Sequence, residues 1–232
     1  MITIRRSGDR GRANYGWLDS RHTFSFADYH DSNHMGFGVL RVINEDTIAP
    51  ATGFDTHGHR EMEIVSYAIS GQIEHADSMG NKTVIKAGEV QRMSAGTGVM
   101  HSEYNHSHDK PAHFLQIWIL PENKGVIPSY SQKDFSSHLA TGEMILVASK
   151  DGRENSVTIN QDMALFALKS EKVGEKKQSL NENRKGWVQV VNGKLKLNDL
   201  YLGPGDGAAI ESENEVMFNW TAGSEFLFFD LP

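Results

Sequence analysis

The chain has 232 residues, room for one large domain or two of about a hundred residues each, and either can bury a core. Hydrophobic content of 38%, charged content of 23% and a net charge of −7 describe a globular protein without the basic stripe that direct nucleic-acid binding needs. The absence of cysteine excludes disulfides, thiolate ligands and cysteine nucleophiles.

No apolar run approaches membrane-spanning length, and no apolar stretch follows Arg5 and Arg6 to form a signal peptide, so a soluble cytoplasmic protein is expected. In chain order, runs 64–69, 84–87, 114–120, 187–191, 194–197 and 226–231 read as strands. Turn signals punctuate them at Ser70-Gly71, Gly80-Asn81, Ala87-Gly88, Asn192-Gly193 and Gly203-Pro204-Gly205-Asp206. No stretch longer than about twelve residues carries a helical period, so a mostly-β barrel or sandwich is predicted. Residues 121–142, with Pro121, Gly125 and Pro128, read as a connection. The lysine-rich run from Lys169 to Lys185 is broken by Glu171, Glu175 and Glu182 and reads as a solvated loop. The order strand, Gly turn, strand, strand, Gly-acid turn occurs twice, from Val65 to Glu89 and from Val188 to Asp206. It points to two related β lobes.

The 11 histidines stop at His138, and seven of them (His57, His59, His75, His101, His106, His108, His113) fall in one stretch of 57 residues. His57 and His59 stand at i, i+2, as do His101 and Glu103. Alternate strand residues share a face, so His57, His59, Glu61 and Glu63 are expected to project together, and so are His101 and Glu103. Two such strands facing each other inside a small barrel present three imidazoles and at least one carboxylate to one point. That set suits a first-row divalent metal with open positions. The second lobe lacks histidine, so only the first can hold such a site. Spacing alone does not choose between Glu63 and Glu103 as the bound carboxylate.

Residues Gly53 to Gly71, with His57-Gly58-His59 and Glu63, and the later Gly88, Gly96, His101 and Asn105, resemble the two motifs of the cupin superfamily, with altered gaps and Ser94 in place of a proline. Arg10-Gly11, the block from Gly16 to Phe26, His57-Gly58-His59-Arg60, the block from Met93 to Glu103 and Gln116-Ile117-Trp118-Ile119 closely resemble pirin-family proteins, the bacterial pirin-like group in particular. The resemblance implies an all-β bicupin of two double-stranded β-barrels: residues 1–130 as the metal-bearing N-terminal barrel, and 131–232 as a degenerate C-terminal barrel without ligands. It also places the metal on His57, His59, His101 and Glu103, leaving Glu61 and Glu63 off the ion, with Glu63 accepting hydrogen bonds or facing Arg60 or Arg92.

Pirin-like bacterial proteins are associated with quercetin 2,3-dioxygenase activity. The implied reaction opens a flavonol ring with O2 and loses carbon monoxide, with Glu103 as general base. Fe(II) is the first choice of ion; Zn, Ni, Cu or Mn suit the same donors. The expected partners are a small aromatic substrate and O2, without membrane or nucleic acid. The alternative, from the resemblance to animal pirins, is a redox-sensing regulatory protein acting through a protein partner. Phe37, Phe54, Met93, Val99 and Met100 are candidates for the cavity mouth, though barrel core is the commoner role. Trp118 and Trp187 read as core, and His75 with Asp77 as a structural pair. His106, His108 and His113 read as surface loop, and residues 16–26 as packing between the lobes.

Overall fold

A computed structural model describes all 232 residues, Met1–Pro232. The first strands are β1 (Ile2–Arg5), β2 (Gly11–Asn14), β3 (Leu18–His22), β4 (Leu40–Ile48), β5 (Gly53–His59) and β6 (Glu63–Ser70). They are followed by β7 (Gln72–Asp77), β8 (Lys82–Lys86), β9 (Glu89–Ser94), β10 (Val99–Asn105), β11 (Ala112–Ile119) and β12 (Ser129–Asp134). A four-residue helix, α1 (Ser136–Leu139), leads to β13 (Ile145–Ser149), β14 (Val157–Thr158), β15 (Ala164–Ser170), β16 (Gly174–Ser179) and β17 (Lys185–Asn192). The chain ends with β18 (Leu195–Leu197), β19 (Leu200–Leu202), β20 (Gly207–Ile210), β21 (Glu215–Trp220) and β22 (Ser224–Leu231). Every predicted strand run falls in one of these elements, overrunning it by at most one residue.

Two seven-stranded and two four-stranded sheets form two barrels of the same plan. The first pairs the sheet β12-β9-β6-β11-β4-β3-β2 with β5-β10-β7-β8. The second pairs β1-β20-β17-β22-β15-β13-β14 with β16-β21-β18-β19. The repeat read from the turns is thus a repeat of topology. At the edges the lobes exchange strands: β1 pairs with β20 of the second barrel, and β12, in the connecting region, pairs with β9 of the first.

Alternation along the strands sorts side chains into three main cores and a small cluster of Ile64, Met93, Ala95 and Val99. In β6, Val65 and Tyr67 join Leu115, Ile117 and Ile119 of β11 in a 23-residue cluster that also takes Leu165, Trp187, Leu227 and Phe229 from the second lobe. The two large sheets therefore pack face to face, each buried aliphatic or aromatic side chain contributing about 1.5–3 kcal/mol. The other face of β6 and β11 looks into the first barrel, where Ala68, Ile73, Ile85 and Phe114 cluster. Phe226, Phe228, Phe218 and Val188 fill the second barrel.

Polar contacts also cross between the lobes. Tyr67 Oη donates to Glu225 Oε1 at 2.7 Å, Lys169 lies 3.1 Å from the other oxygen of that carboxylate, and Thr23 reaches Gln189. The Phe24 ring packs tilted against Trp187 at 4.9 Å, so the block at 16–26 does contact the second lobe. Tyr67→Phe removes the buried donor to Glu225. It is expected to lower stability by about 1–3 kcal/mol, read as a lower midpoint of denaturant unfolding at constant slope.

Candidate metal centre

β5 and β10 run antiparallel with His101 opposite His57 and Val99 opposite His59. Between His101 and Glu103 the register slips: Glu103 faces Phe54, so β5 carries one extra residue, a bulge beside the site. The strands come close there. A Cβ on Gly53 would lie 2.2 Å from the Glu103 carbonyl oxygen, which only glycine avoids. The rings of His57, His59 and His101 gather with centroids 4.4–4.9 Å apart, and their ligand atoms lie within 4.8 Å of one another. Glu103 joins through His101, in a second such group with His75.

These residues fit a metal ion. His101 is buried, and neither ring nitrogen has a hydrogen-bond partner, a cost that coordination removes. His57 Nδ1 bonds the Asp55 carbonyl at 2.7 Å; this fixes its hydrogen there and leaves Nε2 as the lone pair. Burial, reinforced by the neighbouring imidazoles, drives His59 down to about 4 and His101 to about 2, so both are neutral donors at pH 7. Burial pushes Glu103 up to about 7 against the opposing bonds from Ser66 and Gln116, and the Asp46 charge adds to the rise. Gln116 Nε2 donates to Glu103 Oε2 at 2.7 Å and Ser66 Oγ to Oε1 at 3.3 Å.

Glu61 and Glu63 do not project with His57 and His59 as the spacing suggested. β5 ends at His59, and Glu61 turns the chain with a left-handed φ of 52°, so β6 starts with a new parity. Glu61 accepts from the Gly125 amide at 3.1 Å. Glu63 shares the face of Val65 and Tyr67, away from the cavity. Its carboxylate accepts from Ser94 Oγ at 2.8 Å and from Asn160 N and Nδ2 at 3.2 Å. Arg92 bonds Ser94, Ser129 and Thr158.

A cavity of about 240 Å³ opens from the histidines. Phe54, Trp118, Phe26 and Leu18 line it with Tyr15 and Ala13, and Ser20, His22, Asn44, Asp46, Glu103 and Gln116 supply polar groups. Of the suggested mouth residues only Phe54 lines it. Met93 and Val99 are core, Met100 is solvent-exposed, and Phe37 packs on Trp187 at 5.6 Å. Trp118, expected as core, stands edge-on to His59 at 4.9 Å as a cavity wall, whereas Trp187 is core. His75 pairs with Asp77 at 3.0 Å, as expected, although its ring also lies 5.4 Å from His101. His113 belongs to β11 and pairs with Glu45 at 3.0 Å, not to a loop; His106 pairs with Glu74 on the surface.

The polar cavity wall is one row across the sheet. His22 stands opposite Asn44, Asn44 opposite Gln116, Gln116 opposite Ser66, and Ser66 opposite Gln91. The matching row of the second barrel is Leu146, Phe166, Phe228, Val188 and Ala208. The first barrel is therefore built to keep a polar cavity, and the second is plugged by Phe218, Phe226 and Phe228, whose ring centroids lie 5.3–5.6 Å from one another across Phe218.

Fold and site together define a bicupin with one open, histidine-lined barrel and one filled barrel. Residues 4–119 match the family model described as Pirin, and residues 146–231 match that of the quercetinase C-terminal cupin domain. The chain belongs to the pirin family, as one of its quercetin 2,3-dioxygenase-like members. A protein of Escherichia coli K12 named quercetin 2,3-dioxygenase is 47% identical over 232 residues, covering 100% of this chain and 99% of the relative. A putative quercetin 2,3-dioxygenase of Pasteurella multocida is 45% identical with full coverage of both chains. The crystal structure of the Escherichia coli bacterial pirin YhhW in complex with nickel(II) superposes with a TM-score of 0.95 at 46% identity, covering 100% of this chain and 99% of that one.

Separate roles for the clustered His101 and the hydrogen-bonded Glu63 give a direct test. His101→Ala is expected to lower bound metal from about one ion per chain to below a tenth after dialysis, whereas Glu63→Gln keeps the ion and lowers thermal stability instead. Metal analysis beside thermal melting reads both; loss of metal in Glu63→Gln would contradict the assignment.

Proposed function

We propose that this chain is a metal-dependent dioxygenase that opens a flavonol such as quercetin with O2 and releases carbon monoxide. The observation that carries this reading is the convergence of three imidazoles and a buried carboxylate at the end of an aromatic-walled cavity. His57, His59, His101 and Glu103 are the proposed ligands of one divalent ion, Fe(II) first; the nickel(II) complex of the Escherichia coli relative supports a first-row ion. When bound, such an ion supplies Lewis acidity that lowers the pKa of an oxygen ligand, and access to O2.

The chain's own groups do the rest. Glu103 lines the cavity beside the histidines and is the group proposed to accept the flavonol 3-hydroxyl proton. Gln116 and Ser66 hold its two oxygens, so the carboxylate keeps its aim when its charge changes. Phe54, Phe26 and Trp118 hold a flat ring and exclude water from the metal end. Residues 1–130 are proposed as the catalytic barrel and 131–232 as its partner without metal ligands, with β1 and β12 as exchanged edge strands.

O2 uptake on adding quercetin to Fe(II)-loaded protein is expected to be rapid and to vanish in His101→Ala. Glu103→Gln is expected to lower kcat by about 10²–10⁴-fold even where metal analysis finds the ion in place. A loaded wild-type protein that consumes no O2 would overturn the reading.

A further inference from the structure

The metal end of the cavity is only half of it. The far wall is built by β3 and β4, where Ser20, His22, Asn44 and Asp46 take no part in holding the ion. Asp46 is 3% exposed, yet it lines the cavity, and its Oδ1 has no hydrogen-bond partner anywhere in the protein. Ser20 stands opposite it in register and steadies the carboxyl. An unpaired buried acceptor is costly, so its retention calls for a ligand that satisfies it.

The fold itself does not require this carboxyl. Asp46 pairs with Phe114 of β11, and the corresponding pair of the second barrel is Leu168 with Phe226. A fully buried leucine therefore serves the same place in the same architecture.

His22 adds a second acceptor two residues along the neighbouring row. Its Nδ1 bonds Asn44 Oδ1 at 2.9 Å, which fixes the ring hydrogen on Nδ1 and leaves Nε2 as a lone pair. His22 lines the same cavity, between the faces of Phe26 and Tyr29.

We propose that Asp46, with His22 beside it, reads hydroxyl groups on the part of the substrate remote from the metal, so that the cavity selects polyhydroxylated aromatics over bare ones. The proposal rests on the flavonol reading above, in which the 3-hydroxyl faces Glu103. A site that hydrogen-bonds a hydroxyl discriminates strongly against the analogue lacking it, because the analogue leaves the buried group unpaired.

Equilibrium binding of quercetin and of 3-hydroxyflavone, which share the metal-facing hydroxyl and differ in the others, tests this by calorimetry on nickel-loaded protein under nitrogen. Wild type is expected to prefer quercetin by about tenfold or more. Asp46→Ala and His22→Phe are each expected to lose most of that preference, and Asp46→Asn, which keeps an acceptor oxygen, to retain more of it than Asp46→Ala. Equal affinity of wild type for the two flavonols, or a preference that survives both Asp46→Ala and His22→Phe, overturns the proposal. If Asp46→Ala fails to fold, the wild-type ratio and His22→Phe carry the test. A preference without O2 consumption in air would sink the dioxygenase reading alone; O2 consumption without a preference would sink this one alone. Failure of both flavonols to bind overturns both.

Discussion

Alternation along β6 and β11 is the constraint on which the molecule depends. Each strand lies in a sheet with two buried faces, so every second residue is committed to a different neighbour. Ser66 and Gln116 look into the first barrel and hold Glu103; Val65, Tyr67, Leu115 and Ile117 look the other way and pack on the second barrel. A slip of one residue would exchange the polar cavity for the apolar interface, costing both at once. The register is correspondingly over-determined by strands on both sides and by the face-to-face packing of the large sheets.

Within that frame, polar satisfaction separates what is structural from what awaits a ligand. Glu63 is fully buried and has three donors; Glu103 has two; His75 has Asp77. Most of the buried polar groups near the site thus close on one another, as stable interiors require. Open groups beside the site are both nitrogens of His101, one oxygen of Asp46, His75 Nδ1, Gln91 Oε1 and Trp118 Nε1. Of these, Asp46 is a carboxylate on the cavity wall, at a place where the second barrel carries Leu168.

How much of this is legible in the sequence depends on how local each feature is. The strand runs, glycine turns and histidine cluster are short-range patterns and read correctly, except that the run from Lys169 to Lys185, read as a solvated loop, contains β16, whose alternating charged residues hide its strand period. The parity of Glu61 and Glu63 did not read correctly either, because it assumed an unbroken strand from His57 onward; Glu61 is not a residue type that announces a left-handed turn. The cavity wall was invisible for a different reason. Its row takes one residue from each of five strands between His22 and Gln116, and no window of sequence contains it. Trp118 looked like core because its neighbours Ile117 and Ile119 are core; alternation puts it on the opposite face.

The filled barrel is more than ballast. Its segment from Thr158 to Gln161 grips the first barrel at the base of the turn that follows His59. The Thr158 carbonyl accepts from Arg92 Nε at 2.7 Å, Asn160 donates to Glu63 and Ser94, and Gln161 Nε2 donates to the Leu120 carbonyl at 2.7 Å. Glu63 and Ser94 stand opposite each other in register, and the next residue, Ala95, bonds the Met62 carbonyl. The turn carrying Arg60 to Met62 is thereby tied to a second body with an apolar, filled interior. Side chains that hold an ion need a rigid support to keep sub-ångström geometry. The second barrel, its interior filled by Phe218, Phe226, Phe228 and aliphatic side chains, is the body to which that turn is anchored.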